Sequence, residues 1–371
     1  MDVKLTQFNI PTPPVSHRSR LRRIVSQLWW LFQFCQAEAR SNARLPLKHT
    51  LRAWTYGFSR RSYTLFELDR NDPRLYVTDK PHSRAPVRIN GLHRESAKHK
   101  VIFSKYVESL GAPSPGIRAV IVKGRIHVFH EADPAAGWPW LRALLTASPP
   151  GLVLKPMMGA EGVGVAFLKK HGSGYQLNGR DIAEPEALAV IAQLNDYLIT
   201  DFVVQHDYAA RLYPPTTNTI RLLTFWDYET HSPFLAAAVH RIGTARSYPV
   251  DNFKMGAGGL SAPIDLATGR LSRAAYRSDA GVLERHERHP ETGNPIEGVC
   301  IPYWVETTQQ ILKFAAQLPY LPFIGWDVVM TSDGYRIIET NPGSGFSLIQ
   351  VHHPLLADPR VRRFFQAHGL I

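Results

Sequence analysis

Residues 323–341 of this 371-residue chain read Phe-Ile-Gly-Trp-Asp-Val-Val-Met-Thr-Ser-Asp-Gly-Tyr-Arg-Ile-Ile-Glu-Thr-Asn, and they constrain the fold more than any other stretch. Two apolar runs rich in β-branched and aromatic residues flank Ser332-Asp333-Gly334, which is the pattern of an antiparallel hairpin. A three-residue loop with Gly334 in its left-handed position pairs Thr331 with Tyr335. Counting outward then sets Asp327 opposite Glu339, with side chains about 5 Å apart on one face. Asn341 lies two residues beyond Glu339 and shares that face. A two-residue loop would misalign the acids. Two carboxylates and an amide converging at one end of a hairpin are costly as core residues, whereas their oxygens suit Mg2+ bound together with phosphate. The plain alternative is a pair of strand-end acids in water.

A second constraint lies in residues 151–170, Gly-Leu-Val-Leu-Lys-Pro-Met-Met-Gly-Ala-Glu-Gly-Val-Gly-Val-Ala-Phe-Leu-Lys-Lys, which read as strand, glycine loop, strand. Gly159, Gly162 and Gly164 let the backbone approach a ligand, and successive N–H groups form a nest for phosphate. Lys155, at the end of the first strand, adds a point charge beneath the loop. A Walker loop or a dinucleotide fingerprint would need a helix after the glycines, so a hairpin lid remains. A hairpin whose glycines serve only the turn is the competing reading of this segment by itself.

Elsewhere the pattern predicts short strands at 65–68 and 75–77, and a helix over 95–110 that ends at Gly111 before Pro113-Ser114-Pro115-Gly116. Strands are expected at 119–122, 126–129, 197–205, 218–225 and 234–241. Arg221 and Arg241 fall at strand ends, where a guanidinium would brace phosphate charge or form a structural ion pair. Residues 251–260 form a glycine-rich loop, either ligand-facing or a plain connection.

Charge is unevenly distributed. The net charge is +12, yet residues 1–63 hold eleven of the 43 Lys and Arg against only Asp2 and Glu38. This N-terminal piece interleaves arginine with Trp29, Trp30, Phe32, Phe34, Trp54, Tyr56 and Phe58, as one or two amphipathic helices after a proline-rich start. Its aromatic stripe is expected to pack on the rest of the protein; peripheral docking on an anionic membrane face is the alternative. No nucleic-acid-binding motif accompanies the charge, and nucleic acid is not an expected partner. The longest apolar run, 28–35, is too short to span a bilayer, and the N-terminus lacks the form of a secretory signal. Cys35 and Cys300, without metal-type spacing, fit a reducing cytoplasm.

In order, Lys100, Lys155-Pro156 with Gly159, Gly162 and Gly164, the strand 200–204, Arg221, Arg241, and Asp327 with Glu339-Thr340-Asn341 resemble the ATP-grasp superfamily. The likeness covers roughly residues 95–350. Asn218-Thr-Ile-Arg221, His240-Arg-Ile-Gly243, Val250-Asp-Asn252 and Ile324-Gly-Trp-Asp327 look most like its sugar-transfer-associated branch. The resemblance implies an α+β fold in which two α+β lobes clamp ATP behind a basic helical N-terminal extension. Its segments would be the extension (1–65), a preceding segment (66–117), a small lobe with the lid (118–205) and a C-terminal lobe with the hairpin (206–371).

By family position Lys100 and Lys155 would touch the ATP phosphates or adenine, and the loop with Gly159, Gly162 and Gly164 would close over the phosphates. Asp201, Phe202 and Val203 would present backbone to adenine, and Asp207 would reach the ribose. Asp201 stands where many relatives carry Glu, and Thr200 where Gln is common. Asp327, Glu339 and Asn341 would hold one or two Mg2+ or Mn2+, with Arg221 and Arg241 stabilising the transferred charge. The implied chemistry is a carboxylate–amine ligase working through an acyl phosphate on small or sugar-linked substrates, in cell-surface polysaccharide or small-metabolite biosynthesis. A phosphotransferase on the same scaffold, or a catalytically silent nucleotide-binding or membrane-docking module, are the other outcomes. Positioning and charge neutralisation suffice for such phosphoryl transfer without a covalent nucleophile.

Overall fold

The computed structural model describes residues 20–39, 41, 43–79, 88–129, 137–159, 162–253, 257–278 and 282–371. The N-terminal part contains α1 (Arg20–Ala39), α2 (Leu47–Thr55) and α3 (Arg60–Leu65). The expected strands at 65–68 and 75–77 are absent. Leu65 instead ends α3, where Phe66 and Leu68 donate back to Ser62 and Tyr63 carbonyls. Pro73–Leu75 is a 3-10 turn started by the Asp72 carboxylate, which accepts from the Arg74 N–H. Local side-chain capping thus wins over short apolar runs that suit a strand only if a partner strand is at hand. Phe58 and Tyr63 are 0% and 1% exposed and pack with Phe253, Ala275 and Val351 of the main body. Each such burial contributes roughly 1.5–3 kcal/mol, enough to anchor the extension.

The helix expected over 95–110 is broken into α4 (Arg94–Lys98) and α5 (Lys100–Ser109). His99 is extended at the break (ψ 103°), and its Nδ1 accepts the Ile102 N–H, capping α5. The break sets Lys100 in the first turn of α5.

Two antiparallel sheets follow. The first comprises β1 (Ile117–Val122), β2 (Arg125–Val128), β3 (Leu152–Pro156), β4 (Ala166–His171), β5 (Gly174–Leu177), β6 (Arg180–Ile182) and β7 (Tyr197–Asp201), in the order β2-β1-β7-β3-β4-β5-β6. It is covered by α6 (Trp138–Ala147) and α7 (Glu184–Gln193), whose Leu141, Leu145, Ala187 and Ile191 pack on Leu152, Leu154 and Leu168. After α8 (Asp207–Leu212) comes the second sheet: β8 (Ile220–Asp227), β9 (Ser232–Ile242), β10 (Leu260–Pro263), β11 (Ala274–Arg277), β12 (Leu283–His286), β13 (Phe323–Thr331) and β14 (Gly334–Asn341), in the order β12-β11-β10-β9-β8-β13-β14.

β13 is buried along its whole length. Ile324, Trp326, Val328 and Met330 face one core with α5 and α9 (Trp304–Ala316). Phe323 faces another with the short α10 (Ser347–Gln350) and α11 (Pro359–Ala367). The strand pairs β8 on one side and β14 on the other, so Asp327 is placed by a doubly paired backbone. The architecture is α+β, as the family resemblance implies.

Candidate active site

The hairpin reaches the expected acid pairing by an unexpected route. Thr331 pairs with Gly334, not Tyr335, so the turn has two residues, Ser332 and Asp333. That register would put Asp327 opposite Ile338, but a β-bulge after Ile337 adds one residue to β14 and restores Asp327 opposite Glu339. Two offsets of one residue cancel. Asn341 pairs with Gly325 and its amide N–H donates to Asp327 Oδ2 at 3.2 Å, so all three side chains share a face.

Asp327 is 2% exposed. The Arg221 guanidinium donates to both its oxygens, Nη2 to Oδ2 at 3.0 Å, and Arg241 Nη2 donates to Oδ2 at 3.2 Å. Burial pushes the Asp327 pKa up, but the two guanidiniums outweigh it and hold the carboxyl below its usual value. Arg221 also donates to Ser344 Oγ at 2.7 Å, in space that exists because residue 325 is glycine: a Cβ there would lie 2.6 Å from Ser344 Oγ. Its guanidinium is thus committed to bracing Asp327. Arg241 is held by Thr219 Oγ1 at 2.6 and 2.8 Å and by Asp251 at 3.5 Å. Burial opposes its charge, while Asp251, Asp327 and Glu339 together raise its pKa.

Glu339 is more open and lies 3.3 Å from Lys100 Nζ, which also donates to the Gly159 carbonyl at 2.7 Å. One ammonium therefore ties the lid to the carboxylate hairpin. Lys155 Nζ donates to the carbonyl of Ile338, the bulged residue, at 3.2 Å. Lys155 is half-buried and lines the cavity; burial, aided by Lys100 and opposed by Glu339, lowers its pKa to about 8.

These groups line a cavity of about 720 Å3 between the two sheets. Gly159, Gly162 and Gly164 have φ of +118°, +70° and +77°, which bulkier residues adopt at a cost, and Gly162 packs within 3.0 Å of Val250 if given a Cβ. Gly162 of the glycine loop and Val250 thus approach one another beside the cavity, which Val250, Asp251 and Phe253 line; residues 254–256 of the glycine-rich stretch 251–260 lie outside the described residues. An apolar slot is formed by Val153, Val165, Phe167, Phe202 and Ile338, with the Phe167 and Phe202 rings edge-on at 5.8 Å. The Asp201 and Phe202 N–H groups already donate to Gly116 and Gly151, and the Asp201 carboxylate pairs with Arg118 at 2.7 Å. Val203 lines the cavity. Asp207, by contrast, is exposed at the first position of α8 and is not among the lining residues.

Sequence reasoning missed Thr219, Asp251 and Ser344, which position the arginines. Thr219 and Asp251 sit in the Asn-Thr-Ile-Arg and Val-Asp-Asn segments that carry the family likeness, so the signal was present without a role. Also missed was a wall from the N-terminal extension, including Trp30, Phe34, Ser59, Arg61 and Ser62. Among the described residues no group of three or more His, Cys, Asp or Glu could hold a metal. The oxygen set is two carboxylates and the Asn341 amide, whose N–H points to Asp327 and leaves its oxygen for a cation.

A family model described as sugar-transfer associated ATP-grasp matches residues 93–363. Among solved structures, the ADP complex of N5-carboxyaminoimidazole ribonucleotide synthetase is 11% identical, with 67% of this chain and 45% of that chain covered and a TM-score of 0.36. The ATP-grasp ligase PsnB complexed with a phosphomimetic variant of a minimal precursor, Mg and ADP is 13% identical over 76% and 62%, with a TM-score of 0.39. D-alanine–D-alanine ligase from Bacillus anthracis is 10% identical over 76% and 70%, with a TM-score of 0.36. The chain spans 45% and 62% of the length of the first two. No curated protein matches it.

Proposed function

The chain belongs to the sugar-transfer associated ATP-grasp family, and from that premise we propose that it is an ATP- and Mg2+-dependent ligase that activates a carboxylate as an acyl phosphate and passes the acyl group to an amine. The observation that carries this reading is the pairing of Asp327 with Glu339, beside Asn341, on a cavity face also lined by Lys100, Lys155 and Arg241. Asp327, Glu339 and Asn341 would hold the metal, with Mn2+ as a substitute. Bound there, Mg2+ would neutralise charge on the β- and γ-phosphates.

The remaining steps fall to the protein's own groups. The apolar slot of Val153, Phe167 and Phe202 takes the adenine, and the Val203 backbone its polar edge. Lys155 and Lys100 lie where phosphate oxygens would pass beneath the lid, and Gly159, Gly162 and Gly164 would let the backbone approach them. A substrate carboxylate oxygen attacks the γ-phosphorus as the bond to ADP breaks, and Arg241 stabilises charge on the transferred group. The meeting of the lid with Val250 excludes water from the acyl phosphate, which otherwise hydrolyses. An amine then attacks the acyl carbon, and phosphate leaves. We place the reaction in cell-surface polysaccharide or small-metabolite biosynthesis, with a small or sugar-linked acceptor.

Mg-ATP incubated with pooled carboxylates and hydroxylamine tests the reading. The expected products are ADP, free phosphate and a hydroxamate, each dependent on the carboxylate. ADP with a phosphorylated acceptor and no free phosphate would instead establish a kinase.

No helix among the described residues is long and apolar enough to cross a membrane. The extension nonetheless leaves Val25, Leu28 and Phe32 (59% exposed) along one face of α1, and Leu47, Leu51 and Trp54 (47% exposed) along α2 beside exposed Arg44, Lys48 and Arg52. Only part of the aromatic stripe packs inward. Apolar residues flanked by cations support peripheral contact with an anionic membrane at its cytoplasmic face. The protein is expected to float with phosphatidylglycerol vesicles and not with phosphatidylcholine. A Leu28→Glu, Leu51→Glu double variant should lose binding by about tenfold, given the apolar area removed; flotation unchanged by it would sink the idea.

A further inference from the structure

Arg221 and Arg241 both reach Asp327, but the protein holds them in different ways. Arg221 commits every guanidinium nitrogen: Nε and Nη2 donate to Asp327, and Nη1 donates to Ser344 Oγ. Arg241 is gripped along one edge. Its Nε and Nη2 donate to Thr219 Oγ1 at 2.8 and 2.6 Å, and Nη2 also donates to Asp327 Oδ2 at 3.2 Å and lies 3.5 Å from Asp251 Oδ1. Among the described residues Nη1 has no such partner, and Arg241 lines the cavity, so this corner of the guanidinium is the one left for a ligand.

The grip is built from the backbone outward. Thr219 stands just before β8, and the Arg241 N–H donates to its carbonyl at 2.7 Å, one step beyond the pairing of Ile220 with His240. That contact sets the Thr219 hydroxyl beside the guanidinium. A guanidinium only donates and an ionised carboxylate only accepts, so the hydroxyl takes both N–H groups of Arg241 and gives its own proton to Asp251 Oδ2, 2.5 Å away. The same oxygen accepts the Thr219 N–H at 2.7 Å, which fixes the threonine at two points. Asp251 is buried, and among the carboxylates that uphold the Arg241 charge against burial it counts for more than Asp327. Asp327 is shared among Arg221, Arg241 and Asn341 and is the group assigned to the cation. Thr219 and Asp251 are the partners that Arg241 keeps whatever Asp327 holds.

We propose that Thr219 and Asp251 are positioning residues for phosphoryl transfer: together they hold one edge of the Arg241 guanidinium so that Nη1 faces the terminal phosphate, and they act on that phosphate and not on the rest of the nucleotide. The task given to Arg241 rests on the ligase reading, whereas the hold on its guanidinium stands on the contacts themselves.

Calorimetry on the full chain in Mg2+ tests this by comparing ADP with AMPPNP, the imido analogue of ATP, since the ratio of the two affinities reads the terminal phosphate alone. Thr219→Val, close in shape but unable to accept from Arg241 or donate to Asp251, should reduce the preference for AMPPNP about tenfold, and so should Asp251→Asn, the low end for a charge-assisted hydrogen bond. ADP affinity should stay within about twofold in both, which also reports an intact fold. Thr219→Ser retains the hydroxyl and should retain the preference; the two Thr219 variants decide the matter if Asp251→Asn does not fold. In an Arg241→Gln background Thr219→Val should change nothing further, because a residue that acts through Arg241 has no separate effect once Arg241 is gone. A wild type without preference for AMPPNP, a preference indifferent to Thr219→Val, a fall in both affinities alike, or additive losses in the double variant overturns the positioning role and leaves the ligase reading standing. Failure of the wild type to bind ADP overturns the ligase reading and, with it, the task of Arg241.

Discussion

Asp327→Asn is expected to abolish carboxylate-dependent ADP release and, at the same time, to lower the stability of the ligand-free protein by about 3–5 kcal/mol. The first effect follows from losing the charge proposed to hold Mg2+, a change on the order of a thousandfold or more when transferred phosphate loses its counter-charge. The second follows from the surroundings. Asp327 is the shared anion of two buried guanidiniums, Arg221 and Arg241, and neutralising it leaves both facing an amide. From sequence alone the substitution looks harmless to the fold; the bidentate contact with Arg221 makes it a structural one as well. Because the folded carboxyl is held below its ordinary pKa, its stabilisation is present above the usual carboxylate range and is lost as pH falls through the folded value.

Glu339→Gln separates the two roles. Glu339 is more exposed and makes one ion pair, with Lys100, so stability should change by less than about 1 kcal/mol while ADP release is lost. Urea titrations alongside the ADP assay check both. Equal stability losses for the two variants would show that Asp327 is not the charge on which the arginines depend.

Lys155→Met is expected to act in opposite directions on nucleotide affinity and on stability. Loss of the ammonium beneath the lid should weaken ATP binding by about a hundredfold, from one or two charge-assisted contacts. Yet the ligand-free protein should become more stable near neutral pH, because Lys155 is charged there in a setting that disfavours charge. Its folded pKa is about 8 against an ordinary 10.5. Between those values the unfolded chain holds the extra proton, so stability rises with pH across that window, by no more than about 3 kcal/mol. Below pH 8 the full cost applies.

The quantity to measure is the difference in stability between wild type and Lys155→Met at pH 7 and pH 10. Buried tyrosines such as Tyr208, whose pKa is raised by burial, affect both proteins alike and cancel. A difference that does not shrink with pH would remove the desolvated lysine from the account. A phosphate bound beneath the lid would return the charge to Lys155, so nucleotide binding near pH 8 should also take up protons.

The chemistry-bearing strands were legible in the sequence because each is marked by a local pattern. Two apolar runs flanking Ser-Asp-Gly gave away β13 and β14, and three glycines within six residues gave away the glycine loop between β3 and β4. The acid pairing was predicted from the wrong turn, and it stands because the bulge at Ile338 supplies the missing residue; no residue type announces a bulge. Asp207 was placed near the ribose by position in a family, where the fold leaves it exposed on α8. The strands expected at 65–68 and 75–77 illustrate a different limit: runs of three or four apolar residues do not distinguish an edge strand from the buried side of a helix or turn. Arg61 could not be recognised at all. It stands beside Arg60 in a basic run, and only the Glu38 clamp on one and the cavity before the other tell them apart.

The short turn and the extra residue in β14 have a consequence for sequence length. Each offset alone would move Glu339 to the far side of the sheet, since a slip of one residue inverts every side chain beyond it. A relative with one more residue between Thr331 and Gly334 keeps the acids opposed only if it has one fewer after Ile337. Insertions and deletions at the two places must therefore travel together in lineages that retain the reaction. An unmatched length change at either end predicts, from sequence alone, a family member whose two acids no longer face one another.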